Sequence, residues 1–475
     1  MRLRSIPALM LPVSFVCVLM LLQAAPLRAQ SGEKGDDAWY PEIRQDTLTN
    51  GLRVLFARVN TIPLAEISIL VDAGTDREDP ELSGVAHLTT QMLLKGSADR
   101  DEAMISRRLD QLGSYVTPYT HYDYAQLYGK TLRRNFRSTL EIMADAVQRP
   151  TFPSVEIDRY RQEASRTMLR MPSSAGEKAS ARAISMVCGQ GHPLTRPLQP
   201  EVEDFETLNR EDLQSFHSQF YSPERCTIVI SGDLDYAFVR TLLLEAFGRW
   251  KRGENVPETP RNEPSDNHAF TLINDDEVSK GLAYVRLAVP TMSRDDNSMP
   301  ALVLLNSILS EGDSSGLRRA LWGDRLISPS ITSALGFSRD CGYMMISGST
   351  SPQLADSAFS IIDWLLDRMA KDGITEAQLR RAQEGLLVDS PLTFASNRNL
   401  LSLLKEVAVY GLDVGQVIHF EDRIRNVTTE DIRQLASELF ARPRRCTVVL
   451  GDAEKLLPVL RSGEREVVVV PAVQD

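Results

Sequence analysis

The sequence predicts an α+β protein made of two homologous α/β sandwich domains, and three observations carry that prediction. The first is a long repeat. Leu208-Asn-Arg-Glu-Asp-Leu213 returns as Val427-Thr-Thr-Glu-Asp-Ile432, and Arg225-Cys-Thr-Ile-Val-Ile-Ser-Gly-Asp233 returns as Arg445-Cys-Thr-Val-Val-Leu-Gly-Asp452, both at an offset of about 220 residues. The second is that apolar spacing alternates between helix-type and strand-type along each copy. The third is Lys251 to His268, rich in Pro, Asn, Glu and Asp and without apolar periodicity, which reads as a solvated connector. The expected organisation is therefore a domain over 40–250, a linker over 251–268 and a second domain over 269–460, each with a sheet of four to six strands covered by helices.

The elements follow in order. Strands over Glu42–Leu48 and Arg53–Val59 flank an Asn-Gly turn, the strongest short-range hairpin signal. Ile67 to Asp72 is a further strand, and Ser83–Leu94, Asp101–Leu112 and Leu132–Val147 carry apolar residues three and four apart, as helices do. Another helix is expected over Val155–Arg170. In each repeat a capping residue, Asn209 or Thr428 with a glutamate soon after, opens a helix that leads into a β-branched strand closing on Gly-Asp. The second half opens like the first, with a strand over Gly281–Val289 and a helix over Ser298–Leu309. The apolar run Glu466–Val470 has no assigned place.

Residues 1–29 read as a secretory signal peptide: Arg2 and Arg4 precede a mostly apolar run from Ile6 to Leu22, and Leu27-Arg28-Ala29 suits cleavage. Cys17 follows Phe15-Val16 and lacks the small residue that a lipid-attachment cysteine needs before it. No other apolar stretch is long enough to span a bilayer, so the chain is expected to be exported, to the periplasm or cell envelope, without a membrane span. Losing Arg2, Arg4 and Arg28 takes the net charge from −11 to −14, which argues against nucleic acid as a partner. Cys188, Cys226, Cys341 and Cys446 remain; export permits pairing, but their spacing is not that of a disulfide scaffold, and Cys226 and Cys446 lie in β-type runs as buried thiols do.

The chemistry turns on His87-Leu88-Thr89-Thr90-Gln91. In H-x-x-E-H on a helix, histidines four apart share a face and grip zinc, while the glutamate takes a proton from the bound water. Here Thr90 stands at the glutamate and Gln91 at the second histidine. The flanking segments Thr47-Leu-Thr-Asn-Gly-Leu-Arg-Val54, Val71-Asp-Ala-Gly-Thr75, Ser83-Gly-Val-Ala-His87, Met92-Leu-Leu-Lys-Gly96, Gly191-His-Pro193, Arg210-Glu-Asp-Leu213 and Tyr221-Ser-Pro223 follow in order. Together they resemble the insulinase/pitrilysin family of zinc metallopeptidases, in its half-length, mitochondrial-processing-peptidase-like branch, from about residue 40 to 455.

The resemblance implies the LuxS/processing-peptidase-like metalloenzyme fold, two chains closing around a chamber, and cleavage of unfolded peptides inside it. It also implies a distal glutamate ligand 77 positions after the second histidine, which falls on Met168. Glu163, five residues earlier, is a weak substitute off that face. An arginine and tyrosine seven apart in the second domain, which hold the substrate in the family, fall on Trp322 and Pro329, with Arg318, Arg319 and Arg325 nearby. Of the family's zinc ligands and base only His87 survives, and one imidazole does not hold zinc. The thioether of Met168 and the amide of Gln91 are poor zinc donors.

The chain is thus expected to lack catalytic residues, metal and cofactor, with zinc only in a partner subunit. Its expected place is as the chamber-completing, peptide-binding or stabilising member of a heterodimer with an active paralogue. A homodimer, an active zinc endopeptidase with an atypical site, and a purely structural scaffold are the alternatives. Gly113-Ser-Tyr-Val-Thr-Pro-Tyr-Thr120 occupies the family's substrate-pairing edge strand, so Tyr115, Thr117 and Tyr119 are the candidate peptide-binding residues, although Pro118 removes one donor and the tyrosines equally suit packing on neighbouring strands.

Overall fold

The computed structural model describes residues 41–168, 174–195, 207–254, 270–275, 279–310, 316–322, 326–388, 396–463 and 465–471. The expected signal peptide and most of the expected linker lie outside them. The first half begins with β1 (Ile43–Thr47), β2 (Arg53–Arg58) and β3 (Leu64–Val71), then α1 (Val85–Met92), the two-residue strands β4 (Gly96–Ser97) and β5 (Arg100–Asp101), α2 (Glu102–Leu112), β6 (Tyr115–Thr120) and β7 (Ala125–Leu132). It continues with α3 (Phe136–Gln148), α4 (Ser154–Met168), α5 (Ala175–Cys188), α6 (Arg210–Phe220), β8 (Cys226–Gly232) and α7 (Tyr236–Phe247).

The second half runs β9 (Phe270–Asn274), β10 (Ala283–Thr291), α8 (Met299–Ser310), α9 (Gly316–Leu321), β11 (Thr332–Phe337), β12 (Gly342–Thr350), α10 (Ala355–Asp372) and α11 (Glu376–Val388). Next come α12 (Asn397–Tyr410), α13 (Val414–Ile418), α14 (Phe420–Asn426), α15 (Thr429–Leu439), β13 (Cys446–Gly451), α16 (Ala453–Ser462) and β14 (Val467–Pro471).

Both large sheets have six strands, in the orders β1-β2-β8-β3-β7-β6 and β14-β9-β13-β10-β12-β11. Five positions correspond strand for strand, from β2 and β9 across to the outer strands β6 and β11, and the sixth, β1 or β14, differs. β1 pairs antiparallel with β2 through the Asn50-Gly51 turn, where Gly51 takes φ 95°. The apolar run near the C-terminus becomes β14, parallel to β9. The repeated cap is also physical: Asn209 with Asp212 and Thr428 with Asp431 both form capping boxes, closed by the aspartate and not by the neighbouring glutamate, because the aspartate occupies the third helical position.

Central strands β3 and β8 are buried almost throughout, and even their polar side chains Glu66, Ser68, Thr227 and Ser231 lie inside. Burial on both faces requires two layers of cover. On one face of the first sheet, Phe56, Ile67, Ile69 and Ile230 pack with α1, α3 and α7 of the same half. On the other face, Leu55, Ala57, Leu70 and Val229 are covered by Leu400, Leu401 and Leu404 of α12, which belongs to the second half. The arrangement is reciprocal. Ala179, Ala183 and Val187 of α5, the equivalent helix of the first half, cover Ala288, Val448 and Leu450 of the second sheet.

Polar contacts seal this junction. The Arg339 guanidinium, from the turn between β11 and β12, bonds Asp72, and its backbone N–H donates to Asp123 Oδ1 at 3.0 Å. Asp72 also accepts from Arg77 at 3.0 Å and faces Arg225 at 3.3 Å. Burial alone would raise the Asp72 pKa, but these cations outweigh it and hold the carboxyl below its ordinary value. His192 Nε2 lies 3.1 Å from Asp340.

The four cysteines divide into one bridge and two buried thiols. Cys188, at the end of α5, is joined to Cys341 by a disulfide across 153 residues, while Cys226 and Cys446 are buried thiols outside any disulfide. Sequence spacing could not reveal the pair, because it joins two halves that meet only after the helices exchange. Replacing Cys188 and Cys341 by serine should cost about 2–4 kcal/mol of stability, since the bridge closes a long loop. Urea unfolding of the oxidised protein beside the double variant measures this, and a loss under about 1 kcal/mol would mean that helix exchange alone secures the junction.

Candidate functional site

Helix α1 carries the His87 motif on the face of the first sheet opposite α12. Its N-terminus follows Gly84 at φ 85° and has no side-chain cap of its own; instead the Glu78 carboxylate accepts from the Ala86 N–H at 2.9 Å. His87, Thr89 and Thr90 are all buried. His87 Nε2 lies 2.6 Å from the Tyr160 hydroxyl, which comes from α4, the helix that in the resembled family carries the third zinc ligand. Burial, with the nearby Glu163 charge, pushes the Tyr160 phenol up to about 12. The phenol therefore keeps its proton at neutral pH, and we assign it as the donor and Nε2 as the acceptor.

At the position of the family's general base, the Thr90 hydroxyl donates to the Ala86 carbonyl at 2.7 Å and lies 3.3 Å from the Tyr221 hydroxyl. Burial holds the Tyr221 phenol far above its usual range. His217 stacks on Tyr221 at 4.6 Å between ring centroids, and its Nε2 donates to the Val147 carbonyl at 2.8 Å. Burial pushes the His217 pKa down to about 4, so this ring is neutral.

These groups do not fit a zinc ion. The surviving imidazole already uses Nε2 on Tyr160, Thr90 is turned back into its own helix, and Gln91, half-buried one turn on from His87, offers only a neutral amide. Met168 closes α4 and Glu163 is exposed. Among the described residues no three His, Cys, Asp or Glu side chains gather to hold a metal ion. In the second half, Trp322 follows α9 half-buried and Pro329 is exposed; Arg318 and Arg319 are exposed on α9, and Arg325 lies outside the described residues.

The other predicted residues sit elsewhere. Strand β6 is the outer strand of its sheet, paired only with β7. The His121 N–H donates to the Tyr124 carbonyl at 2.9 Å. By two-residue alternation, the backbone groups of 115, 117 and 119 turn towards β7, and those of Val116, Pro118 and Thr120 face the open edge. Pro118 thus withholds a donor from that edge. Tyr115, Thr117 and Tyr119 lie opposite Lys130, Tyr128 and Gln126, on the α12 side of the sheet, whereas His87 and Thr90 are on the other side. Tyr115 and Tyr119 are 54% and 43% exposed. Reading the sequence missed Tyr160 and Glu78, for no spacing signals either contact.

Comparison with known proteins follows the same division. Residues 53–200 match the profile of insulinase (Peptidase family M16), and residues 207–386 that of the peptidase M16 inactive domain. An uncharacterized zinc protease of Mycobacterium leprae is 27% identical over 424 residues, covering 88% of this chain and 94% of the relative. The zinc protease PqqE of Helicobacter pylori is 23% identical, with coverage of 91% and 96%. Among solved structures, a peptidase M16 inactive domain from Pseudomonas fluorescens superposes with TM-score 0.78 at 20% identity, covering 86% of this chain and 98% of that one. The periplasmic protease PqqL of Escherichia coli gives 0.74 at 15% identity, covering 89% of this chain but 50% of that one.

Two outcomes follow from the site. His87→Ala should leave the metal content of the purified protein unchanged, read by elemental analysis, while costing about 1 kcal/mol for the lost hydrogen bond to Tyr160. A coupled loss of bound zinc would mean that His87 is a ligand. His217 binds a proton near 6.5 when unfolded but only near 4 when folded, so it costs stability as pH falls from 6.5 towards 4. His217→Gln should flatten the stability profile across that window; an unchanged slope would place the titration elsewhere.

Proposed function

The chain belongs to the insulinase family of peptidases, family M16, and we propose that it acts there as a non-catalytic subunit. In this reading it pairs with a zinc-bearing paralogue, completes the chamber with its two domains, stabilises that partner and holds extended peptides on β6. It is exported and works in the periplasm or cell envelope, and the zinc and the peptide-bond chemistry belong to the partner. The observation that carries the reading is the state of the motif helix: His87 is closed off by Tyr160, and the general-base position holds a threonine bonded to its own helix. A carboxylate is needed there to activate a metal-bound water.

Two further observations support the pairing and the peptide role. The chain spans about half of the Escherichia coli protease it superposes on, so one such unit corresponds to half of that longer peptidase. The open edge of β6 supplies the main-chain groups of Val116 and Thr120 and the Pro118 carbonyl, and strand addition uses such groups without any metal.

Affinity purification from the native host, with mass spectrometry of what accompanies the chain, tests the proposal. A stoichiometric partner with an intact H-x-x-E-H motif is expected. Unfolded peptides should be cleaved by the pair and not by this chain alone. Turnover by this chain alone, together with bound zinc, would establish an atypical active peptidase instead. A complex whose activity ignores substitutions at Thr117 and Tyr119 would reduce the chain to a scaffold.

A further inference from the structure

We infer that the β6 edge is selective: it prefers an extended peptide with an acidic side chain seated opposite Thr117, and Arg398, from the second half of the chain, determines that preference. The inference rests on the peptide-holding role proposed above and adds the chemistry of the occupant.

Geometry defines the seat. Tyr115, Thr117 and Tyr119 point to one face, where the small threonine sits between two exposed phenols whose hydroxyls interact with each other and with Thr117. A strand added to this edge places alternate side chains on that face, with the directly opposite Cβ about 5 Å away. Beneath lies a polar floor of Glu66, Ser68, Gln126 and Tyr128, all buried. Gln126 Nε2 donates to the Ser68 hydroxyl, and the Tyr128 hydroxyl donates to Glu66 at 2.9 Å.

Charge decides what fits. Arg398 is exposed at the start of α12, whose Leu400, Leu401 and Leu404 pack with Tyr128, and its charge acts on Tyr128, Tyr115 and Tyr119. Lys130 is on the same face, 45% exposed, with Nζ 3.8 Å from Glu66. The balancing carboxylates are withdrawn: Glu66 is 4% exposed beneath the rings, and Glu406 is tied to Arg294. Hydrogen bonds from Thr117 and Tyr119, with the Arg398 charge adding to them, hold the Tyr115 phenol below its ordinary value. A chain of net charge −11 thus presents cations at this edge, next to the Tyr115 hydroxyl, whose own proton is left to donate to a carboxylate.

The test uses the full exported protein and fluorescein-labelled nine-residue peptides of alternating Thr and Ser with a central Glu, Gln or Lys, read by anisotropy at low ionic strength. Binding should fall in the order Glu, Gln, Lys, by about threefold to fivefold per step, and the spread should collapse as salt screens the exposed charge. Arg398→Gln should narrow the spread and Arg398→Glu should invert the order, with melting temperature unchanged because the side chain is exposed. Equal binding of the three peptides, or an order that survives Arg398→Glu, overturns the inference and leaves peptide holding intact. A Glu peptide N-methylated at alternate residues distinguishes the layers: if it binds like its parent, or if no peptide binds at all, strand addition on β6 fails and the selectivity fails with it.

Discussion

A sheet buried on both faces must be covered twice, and the rest of this structure depends on how that demand is met. Each half covers one face of its sheet with its own helices. The other face is covered by a helix from the opposite half, α12 over Leu55, Leu70 and Val229, and α5 over Ala288, Val448 and Leu450. Neither half completes its core alone, because exposing either second face would return a full apolar row to water. The exchange explains why the junction is tightly built. Arg339 reaches across to Asp72 and Asp123, and the Cys188–Cys341 bridge fastens the end of α5 to the turn leading into β12.

The same economy governs the motif helix. A zinc-peptidase helix must present polar ligands inside a packed layer, where an unpartnered polar group is costly. Here the motif side chains bond protein groups. Tyr160 fills the space beside His87 and bonds it, Thr90 bonds its own helix, and Glu78 caps the helix start. Restoring a ligand to such a site therefore means displacing partners as well as changing the ligand residues. The family's shape persists because it depends on sheet registry and helix exchange, which the missing ligands never supported.

The two faces of the first sheet separate two kinds of residue that the sequence sets close together. His87 and Thr90 share the helix-covered face with Ile67 and Ile69, whereas Tyr115 and Tyr119 lie across the sheet with Arg398. The period-2 alternation of β6 makes that separation unavoidable, since a one-residue slip would bury both tyrosines and expose Val116. The exposed tyrosine face of β6 and the degenerate motif are thus distinct features of one domain.

Local order was legible in the residues themselves. The Asn50-Gly51 hairpin, the repeated caps at Asn209 and Thr428, the buried runs Cys226–Gly232 and Cys446–Gly451 and the damaged motif at His87 all follow from propensities and spacings a few residues long. Contacts across long separations were not. The place of Val467–Pro471 beside β9, the Cys188–Cys341 bridge, the Tyr160 hydroxyl on His87 and the arrival of Arg398 at Tyr128 each join segments from 73 to 270 residues apart or attach an edge strand to a sheet formed earlier in the chain. Sequence determined which elements form and which motif positions are substituted, because those depend on neighbours along the chain. The tertiary structure decided what covers each sheet and what His87 touches, because those depend on which apolar faces must meet to leave water.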